Sequence, residues 1–146
     1  MKLSIITFFV IVSYQLVLAQ TVEVKNTGNL PIAVTGFEND DGEVLIAVSN
    51  SRENYESNDS AFVGVTVKIE NRKVEYIFED LPFGEYAIKL FHDENMDGEL
   101  NSNFLGIPTE DYGFSNNARG TFGPADYDDT KFSFDRHKLT IEITVR

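Results

Sequence analysis

The feature that most constrains this chain is a regular alternation of apolar and polar residues along short segments. The clearest case, residues 139–145, has apolar side chains at Leu139, Ile141, Ile143 and Val145 and a polar one between each pair. Residues 63–69 repeat the pattern with valine and isoleucine. A period of two sends alternate side chains to opposite faces of a β-strand, so each segment is expected to bury one face. The sequence after residue 19 has no apolar stripe of helical period and useful length.

Seven segments carry strand character, with turn residues between them. They are residues 32–37, 44–48, 62–69, 74–78, 86–91, 131–134 and 139–145. Asp41-Gly42 lies between the first two and is a strong hairpin signal, so we expect a hairpin there. Residues 49–60 are polar and predict a loop with a short helical turn near residues 52–55. The set predicts an all-β fold: a single immunoglobulin-like or transthyretin-like β-sandwich of about seven strands with one long ordered loop.

The first nineteen residues have the pattern of an export signal. Lys2 precedes an apolar run to Ala19, and the Val-Leu-Ala end of that run suits a peptidase that cuts before Gln20. The alternative is a membrane anchor, since about 17 apolar residues approach the minimum for a spanning helix. A polar interruption at residues 13–15 favours cleavage. We expect a signal peptide at 1–19, a lead-in at 20–30 and the sandwich at 31–146, in a protein that is secreted, periplasmic or at the cell surface.

Charge and cysteine content exclude several classes of partner. The chain has 12 basic and 24 acidic residues, a net charge of −12, and loss of Lys2 with the signal brings it near −13. Such a field repels nucleic acid and anionic membranes and attracts cations. The chain has no cysteine, which excludes a lipidated cysteine anchor and disulfides. We expect a monomer that binds neither nucleic acid nor, after cleavage, a membrane, and whose partner is an unidentified protein or glycan.

The longest segment without strand character lies between the strands expected at 86–91 and 131–134. Connections of that length are uncommon in compact domains and are usually functional or disordered. Aromatic and branched side chains through the segment are expected to pack it onto the sandwich: Phe104, Leu105, Ile107, Tyr112, Phe114, Phe122 and Tyr127. We therefore expect an ordered, functional loop without strands or helices of its own.

This segment opens with the first half of a Ca²⁺-binding loop. Its expected ligands are Asp93, Asn95, Asp97, the backbone carbonyl of Glu99, and Asn101, with Gly98 allowing the sharp turn. Position 12 is Phe104 instead of a bidentate Glu, and the motif follows a strand, so the loop is no EF-hand. Glu99, Asn103, Glu110 or Asp111 could complete the shell.

A polar turn without metal is the alternative, because Asp, Asn and Gly also favour turns for local reasons. Nine carboxylates and one basic residue, Arg119, lie between residues 93 and 129, which favours a bound cation. The sequence thus predicts calcium as the cofactor, at a weak site on the order of 10⁻⁴ to 10⁻³ M.

A second candidate site follows, with Tyr112, Phe114, Asn116 and Arg119 as ligand-binding candidates. Arg119 is expected to pair with Glu110, Asp111 or Asp126; the alternative makes it an anchor for a ligand carboxylate. Asn116 could bind a polar ligand such as a glycan, although adjacent Asn residues more often stabilise turns. The aromatic side chains are loop core or a surface for a small ligand.

Enzymatic function has little support in the sequence. There is no Cys nucleophile and no Gly-x-Ser-x-Gly turn. The two histidines, His92 and His137, have no zinc-ligand spacing. A hydrolase would need two close carboxylates in unlike environments, and nothing singles out such a pair. We expect a non-catalytic module.

Five motifs in order carry a resemblance to a known family. They are Leu-Pro-x-Gly-x-Tyr-Ala at 81–87, His-Asp-x-Asn-x-Asp-Gly at 92–98, Gly-Ile-Pro at 106–108, Tyr-Gly-Phe-Ser-Asn-Asn at 112–117 and Phe-Gly-Pro at 122–124. Over roughly residues 30–146 the chain resembles the secreted bacterial proteins of domain-of-unknown-function family 2141. The resemblance implies export and a transthyretin-like or immunoglobulin-like sandwich, and it brings no catalytic residues to carry over.

Overall fold

The computed structural model describes residues 26–57, 60–137 and 139–146. The expected signal peptide at 1–19 and the first part of the expected lead-in, 20–25, lie outside the described residues. The first strand begins at Thr27, within the range expected as lead-in.

The described residues form two β-sheets. The strands are β1 (Thr27–Thr35), β2 (Glu43–Ser49), β3 (Val63–Lys68), β4 (Lys73–Pro82), β5 (Gly84–Asp93), β6 (Tyr112–Phe114), β7 (Phe132–Phe134) and β8 (Ile141–Thr144). One sheet has the order β4-β1-β8, and the other has the order β3-β2-β5-β6 with β7 paired to the start of β5. β1 and β8 are parallel, and the other pairs are antiparallel. The all-β, sandwich-like fold is confirmed.

Alternate residues of the strands fill the core between the sheets, as the period of two predicts. They include Leu30, Ile32 and Val34 of β1, Val44, Ile46 and Val48 of β2, and Ile141 and Ile143 of β8. The valines of β3 are only partly buried, because β3 lies at the edge of its sheet and pairs with β2 alone. Burial of one face per strand therefore sets the register of both sheets.

The hairpin expected at Asp41-Gly42 is wrong. β1 pairs with β4 and β8, whereas β2 pairs with β3 and β5, so residues 36–42 cross from one sheet to the other. Phe37 is buried within this crossing, and its ring meets the edge of His92 at 5.3 Å between centroids. A Cβ on Gly42 would lie 2.0 Å from the Asp93 carbonyl oxygen. Gly42 therefore lets the chain pass close to the end of β5, and the buried Phe37 holds the crossing segment in place.

The helical turn predicted near residues 52–55 is confirmed as α1 (Arg52–Glu56). The Ser51 hydroxyl caps it by accepting a hydrogen bond from the Asn54 amide at 3.2 Å. Tyr55 is buried and donates its hydroxyl to the Ala125 carbonyl at 2.7 Å, which ties α1 to the long loop. In the described part of the chain, no helix is long and apolar enough to cross a membrane.

The long loop differs from its prediction in two ways. It contains β6, a 3-10 turn at Ser115–Asn117 and the short helix α2 (Tyr127–Thr130), which are too brief to show a period in the sequence. Four of its apolar side chains, Phe104, Leu105, Ile107 and Phe122, are exposed and do not pack on the sandwich. The turn at residues 103–107 is ordered instead by the Asn103 side chain. Its oxygen accepts hydrogen bonds from the backbone amides of Leu105 (2.9 Å) and Ile107 (3.1 Å).

Candidate functional site

The acidic loop, residues 93–101, leaves the sandwich at the last residue of β5. Asp93 is fully buried, and its two carboxylate oxygens accept hydrogen bonds from the backbone amides of Asp97 (3.1 Å) and Gly98 (2.7 Å). Gly98 has a φ of +81°, which lets the chain turn back over the carboxylate. Asp93 therefore organises the loop from beneath, where the protein replaces its hydration with two backbone donors.

Three polar side chains meet on the outer side of the acidic loop. The Asn95 amide nitrogen donates to Asp97 Oδ2 at 2.9 Å and to Asn101 Oδ1 at 2.8 Å. The Asn101 amide nitrogen also donates to Asp97 Oδ2, at 3.1 Å. Hydrogen bonds from Asn101, from the Glu99 amide and from Asn95 hold the pKa of Asp97 below its ordinary value. Asp97 thus keeps its negative charge at the point where the three side chains converge.

A buried glutamate closes the base of the acidic loop. Glu110 is 8% exposed, and its Oε1 accepts the backbone amide of Glu94 at 3.0 Å. Its Oε2 accepts the backbone amide of Asn101 at 2.8 Å. Sequence reasoning considered Glu110 as a metal ligand or a partner of Arg119, whereas in the fold it clamps the two ends of the loop.

The structure brings Asn95, Asp97 and Asn101 together around one point, with Asp93 below them. The Glu99 side chain is exposed, and Glu99 joins the loop through its backbone amide, which donates to Asp97 Oδ1 at 2.9 Å. Within residues 26–57, 60–137 and 139–146, no group of three or more His, Cys, Asp or Glu side chains is placed to hold a metal ion. The side chains that meet there are one carboxylate, Asp97, and two amides, Asn95 and Asn101.

His92 lies beside the acidic loop but faces inward. It is fully buried; its Nε2 lies 2.6 Å from the Asp41 carbonyl oxygen, and its Nδ1 lies 3.8 Å from Glu94 Oε1. Nδ1 has no hydrogen-bond partner in the described part of the chain. His92 is therefore enclosed by protein and is closed to a substrate. Asp111 lies in the same neighbourhood. Burial, and secondarily repulsion by Glu38, raises the pKa of Asp111.

The second candidate site forms a shallow pocket of about 100 Å³ beside β6. Tyr112, Phe114 and Arg119 line it, together with Arg146. The two aromatic rings are 5.8 Å apart in an edge-to-face arrangement, with Tyr112 half-buried and Phe114 buried. This pocket, called the β6 pocket below, unites three of the four ligand-binding candidates.

The expected ion pair of Arg119 is absent. Among the described residues, no carboxylate lies within ion-pair distance of its guanidinium, and no hydrogen bond reaches it. Glu110, one of its three expected partners, instead accepts hydrogen bonds from the backbone of the acidic loop. The expectation that Arg119 holds the loop by pairing with Glu110, Asp111 or Asp126 is therefore wrong.

Asn116 lies outside the β6 pocket and serves the fold. With φ at +60°, it directs its amide nitrogen to the carbonyl oxygens of Asp129 and Lys131, both at 3.0 Å. These carbonyls belong to the C-terminal end of α2, where helices leave acceptors unpaired. The Asn116 side chain therefore caps α2.

Two further residues of this region, Ser115 and Arg146, carry no signal of their roles in the sequence. Ser115 is fully buried; its hydroxyl accepts the Ile88 amide at 2.9 Å and donates to the Thr130 carbonyl at 2.6 Å, which joins β5 to the end of α2. Arg146 reaches the β6 pocket because its backbone exchanges two 3.2 Å hydrogen bonds with Tyr112. A tyrosine and an arginine so far apart in sequence give no local signal of this pairing.

Comparison with known proteins identifies a family for this chain. A family model described as an uncharacterized protein conserved in bacteria (DUF2141) matches residues 32–142, which include the acidic loop and most of the β6 pocket. Neither a curated protein nor a solved structure matches the chain.

Proposed function

The chain belongs to the DUF2141 family, and from that premise we propose that it is an exported, non-catalytic β-sandwich module whose acidic loop is stabilised by Ca²⁺. One observation carries the proposal: the side chains of Asn95, Asp97 and Asn101 converge on one point, with 2.8–3.1 Å between their polar atoms. The enclosed His92 supports the non-catalytic part, since an imidazole closed to substrate is no general base.

The chemistry of the loop suits calcium better than other divalent ions. Ca²⁺ accepts carboxylate, amide and backbone carbonyl oxygens in a flexible shell, whereas Mg²⁺ requires near-ideal octahedral geometry and zinc prefers nitrogen and sulfur. The Asn95 nitrogen lies between Asp97 Oδ2 and Asn101 Oδ1. A half-turn of that amide exchanges its nitrogen for its oxygen. This turn gives up the hydrogen bond that Asn95 Oδ1 accepts from the Asp97 backbone amide at 3.0 Å, which the bound cation would have to offset. The oxygens would then face one another, and a cation among them would offset their repulsion.

Thermal melting tests the calcium claim. At a calcium concentration ten times Kd, binding to the folded state alone adds about 1.4 kcal/mol to the free energy of unfolding. For a domain of this size we expect the melting temperature to rise by roughly 5 °C relative to chelator. Magnesium at the same concentration is expected to give a smaller rise.

Two matched variants separate a specific site from general acidity. Asp97→Asn and Glu99→Gln each remove one negative charge from the acidic loop. Because the Glu99 side chain is exposed and the loop position of Glu99 contributes a backbone carbonyl, Glu99→Gln should keep the calcium response, and Asp97→Asn should lose most of it. A melting temperature indifferent to millimolar calcium in the unmodified protein would remove the claim, and equal losses in both variants would reduce it to charge screening.

Export is supported by Lys2, the apolar run and the cleavage-site pattern before Gln20. Expression with the native leader in a bacterial host, followed by intact mass measurement, tests it. We expect the protein outside the cytoplasm with Gln20 as its first residue. A product that retains residues 1–19 in the membrane fraction would contradict the proposal and support an anchor.

Small-ligand or glycan binding at residues 112–119 is the second candidate function. The β6 pocket favours it, since it is partly open and both Tyr112 and Arg119 line it. Titration of the ¹⁵N-labelled protein with small ligands tests it, and we expect the amide signals of Gly113 and Gly120 to move in a saturable manner. Shifts scattered over the whole surface would count against a site.

A further inference from the structure

The β6 pocket concentrates positive charge on an acidic protein. Arg119 and Arg146 both line it, although the chain has only 12 basic residues against 24 acidic ones. Neither guanidinium has an ion pair or a hydrogen bond with another described residue. By contrast, Arg52 pairs with Glu56 and Asp128. The two pocket arginines therefore keep their donors available.

Hydrogen bonds and close packing fix the backbone positions of Arg119 and Arg146. Arg146 pairs with Tyr112 through reciprocal hydrogen bonds of 3.2 Å. Arg119 follows the 3-10 turn, where Asn117 Oδ1 accepts the Thr144 amide at 2.8 Å and so joins the turn to β8. Gly113 brings β6 close to β8, since a Cβ there would lie 2.7 Å from Ile143 Cγ2. Arg119 and Arg146, both exposed, thus line one pocket because β6, β8 and the turn are held together.

We propose that the β6 pocket binds the carboxylate of a small ligand, with Arg119 and Arg146 as its two anchors. This inference rests on the second candidate function, ligand binding at residues 112–119, and names the chemical class of the ligand. A guanidinium presents paired N–H donors that match the two oxygens of a carboxylate. At about 100 Å³, the pocket would receive one end group of a ligand. The half-buried Tyr112 ring offers an apolar surface to the carbon skeleton behind that group.

The net negative charge of the protein determines how an anion could bind at this pocket. A net charge of −12 repels anions from most of the surface. An anion that binds here does so through local contacts, and its affinity should fall with ionic strength as the two arginines are screened. Two kinds of ligand carry such a carboxylate: a glycan that contains a uronic acid, and a peptide with its terminal carboxylate.

Two matched ligand pairs test the proposal by ¹⁵N NMR titration of the folded protein. Glucuronate is compared with glucose, and N-acetylglycine with its amide, so that only the carboxylate differs in charge within each pair. We expect the carboxylates to shift the Gly113 and Gly120 amides and the Arg119 and Arg146 side-chain N–H signals. The neutral compound of each pair should bind at least about tenfold more weakly, because it lacks the charge-assisted hydrogen bonds.

Charge-matched variants locate the effect. Arg119→Gln and Arg146→Gln should each weaken carboxylate binding about tenfold. Arg136→Gln, an exposed arginine beside Asp135 and outside the pocket lining, should leave it unchanged. A preference for glucuronate or for N-acetylglycine identifies the source of the carboxylate.

Three outcomes would overturn the inference, and they are distinguishable. Equal binding of glucose and glucuronate at Gly113 and Gly120 would remove the carboxylate assignment and leave small-ligand binding in place. No localised shift with any of the four probes, at tens of millimolar, would remove both. Carboxylate binding that survives in both Arg119→Gln and Arg146→Gln would likewise overturn the role of the arginines.

Discussion

The side-chain carboxylate of Glu110 accepts a hydrogen bond from the backbone amide of Asn101 at 2.8 Å, across the base of the acidic loop. Its second oxygen accepts the amide of Glu94 at 3.0 Å, so one buried side chain joins the first and last turns of the loop. A buried backbone amide without an acceptor is costly. The clamp therefore contributes to the folded state whether or not the loop holds an ion.

Glu110→Gln is expected to lower the free energy of unfolding by about 1–3 kcal/mol, because the new NH₂ group faces a backbone donor in place of an acceptor. Urea denaturation followed by fluorescence or circular dichroism measures the change. Glu79→Gln is the control, since Glu79 is exposed on β4 and the same charge is lost. Equal denaturation midpoints for the two variants would show that the clamp adds nothing to stability.

Ser115→Ala is expected to destabilise the protein to a similar extent, by about 1–3 kcal/mol. The substitution leaves the Ile88 amide and the Thr130 carbonyl without the buried hydroxyl that serves both. Ser133→Ala on β7 is the matched control, since Ser133 is exposed. Hydrogen exchange adds a local readout: the Ile88 amide should lose protection in Ser115→Ala alone, and unchanged protection there would contradict the assigned role.

The strands were predictable because burial of one face leaves a period of two in the sequence. Ile141 and Ile143 of β8 are inward, as the alternation indicated. The crossing at Asp41-Gly42 was not predictable, because a dipeptide reports local turn preference only. The choice of sheet depends on the burial of Phe37 against His92, a contact 55 residues apart in sequence.

The two candidate sites also differ in how far the sequence predicts them. Asn95 and Asp97 could be predicted to converge, because alternate oxygen side chains before a glycine turn inward for local reasons. Arg146 could not be placed in the β6 pocket, because its position follows from the pairing of its backbone with Tyr112. Arg119 is expected from the sequence to pair with Glu110, Asp111 or Asp126, but nothing local in the sequence indicates that backbone amides occupy the Glu110 carboxylate.

Asp111→Asn is expected to stabilise the protein at pH 7. Burial, and secondarily the charge of Glu38, raises the pKa of Asp111 above its ordinary value of 3.8, so the ionised form is disfavoured in the folded state. As pH falls through the raised value towards 3.8, the folded protein takes up this proton before the unfolded chain, and the cost of the charge disappears. The stability gain of Asp111→Asn should therefore be full at pH 7 and vanish in acid.

Urea denaturation across that pH range, for the unmodified protein and Asp111→Asn, measures this difference. Glu79→Gln again serves as the exposed control. A gain that persists unchanged at pH 3 would mean that packing of the amide, and not loss of the buried charge, produces it.

Gly113→Ala is expected to cost about 1–3 kcal/mol of stability, because its Cβ would lie 2.7 Å from Ile143 Cγ2 and force β6 away from β8. Gly64→Ala on β3 is the control, since the nearest atom to its Cβ is the Ile46 carbonyl oxygen at 3.7 Å. Alanine there should be neutral or slightly stabilising, because it restricts the unfolded chain. Displacement of β6 also separates Tyr112 from Arg146, so Gly113→Ala should weaken glucuronate binding while Gly64→Ala leaves it intact. Equal stability and equal binding in both variants would mean that β6 does not depend on its contact with β8.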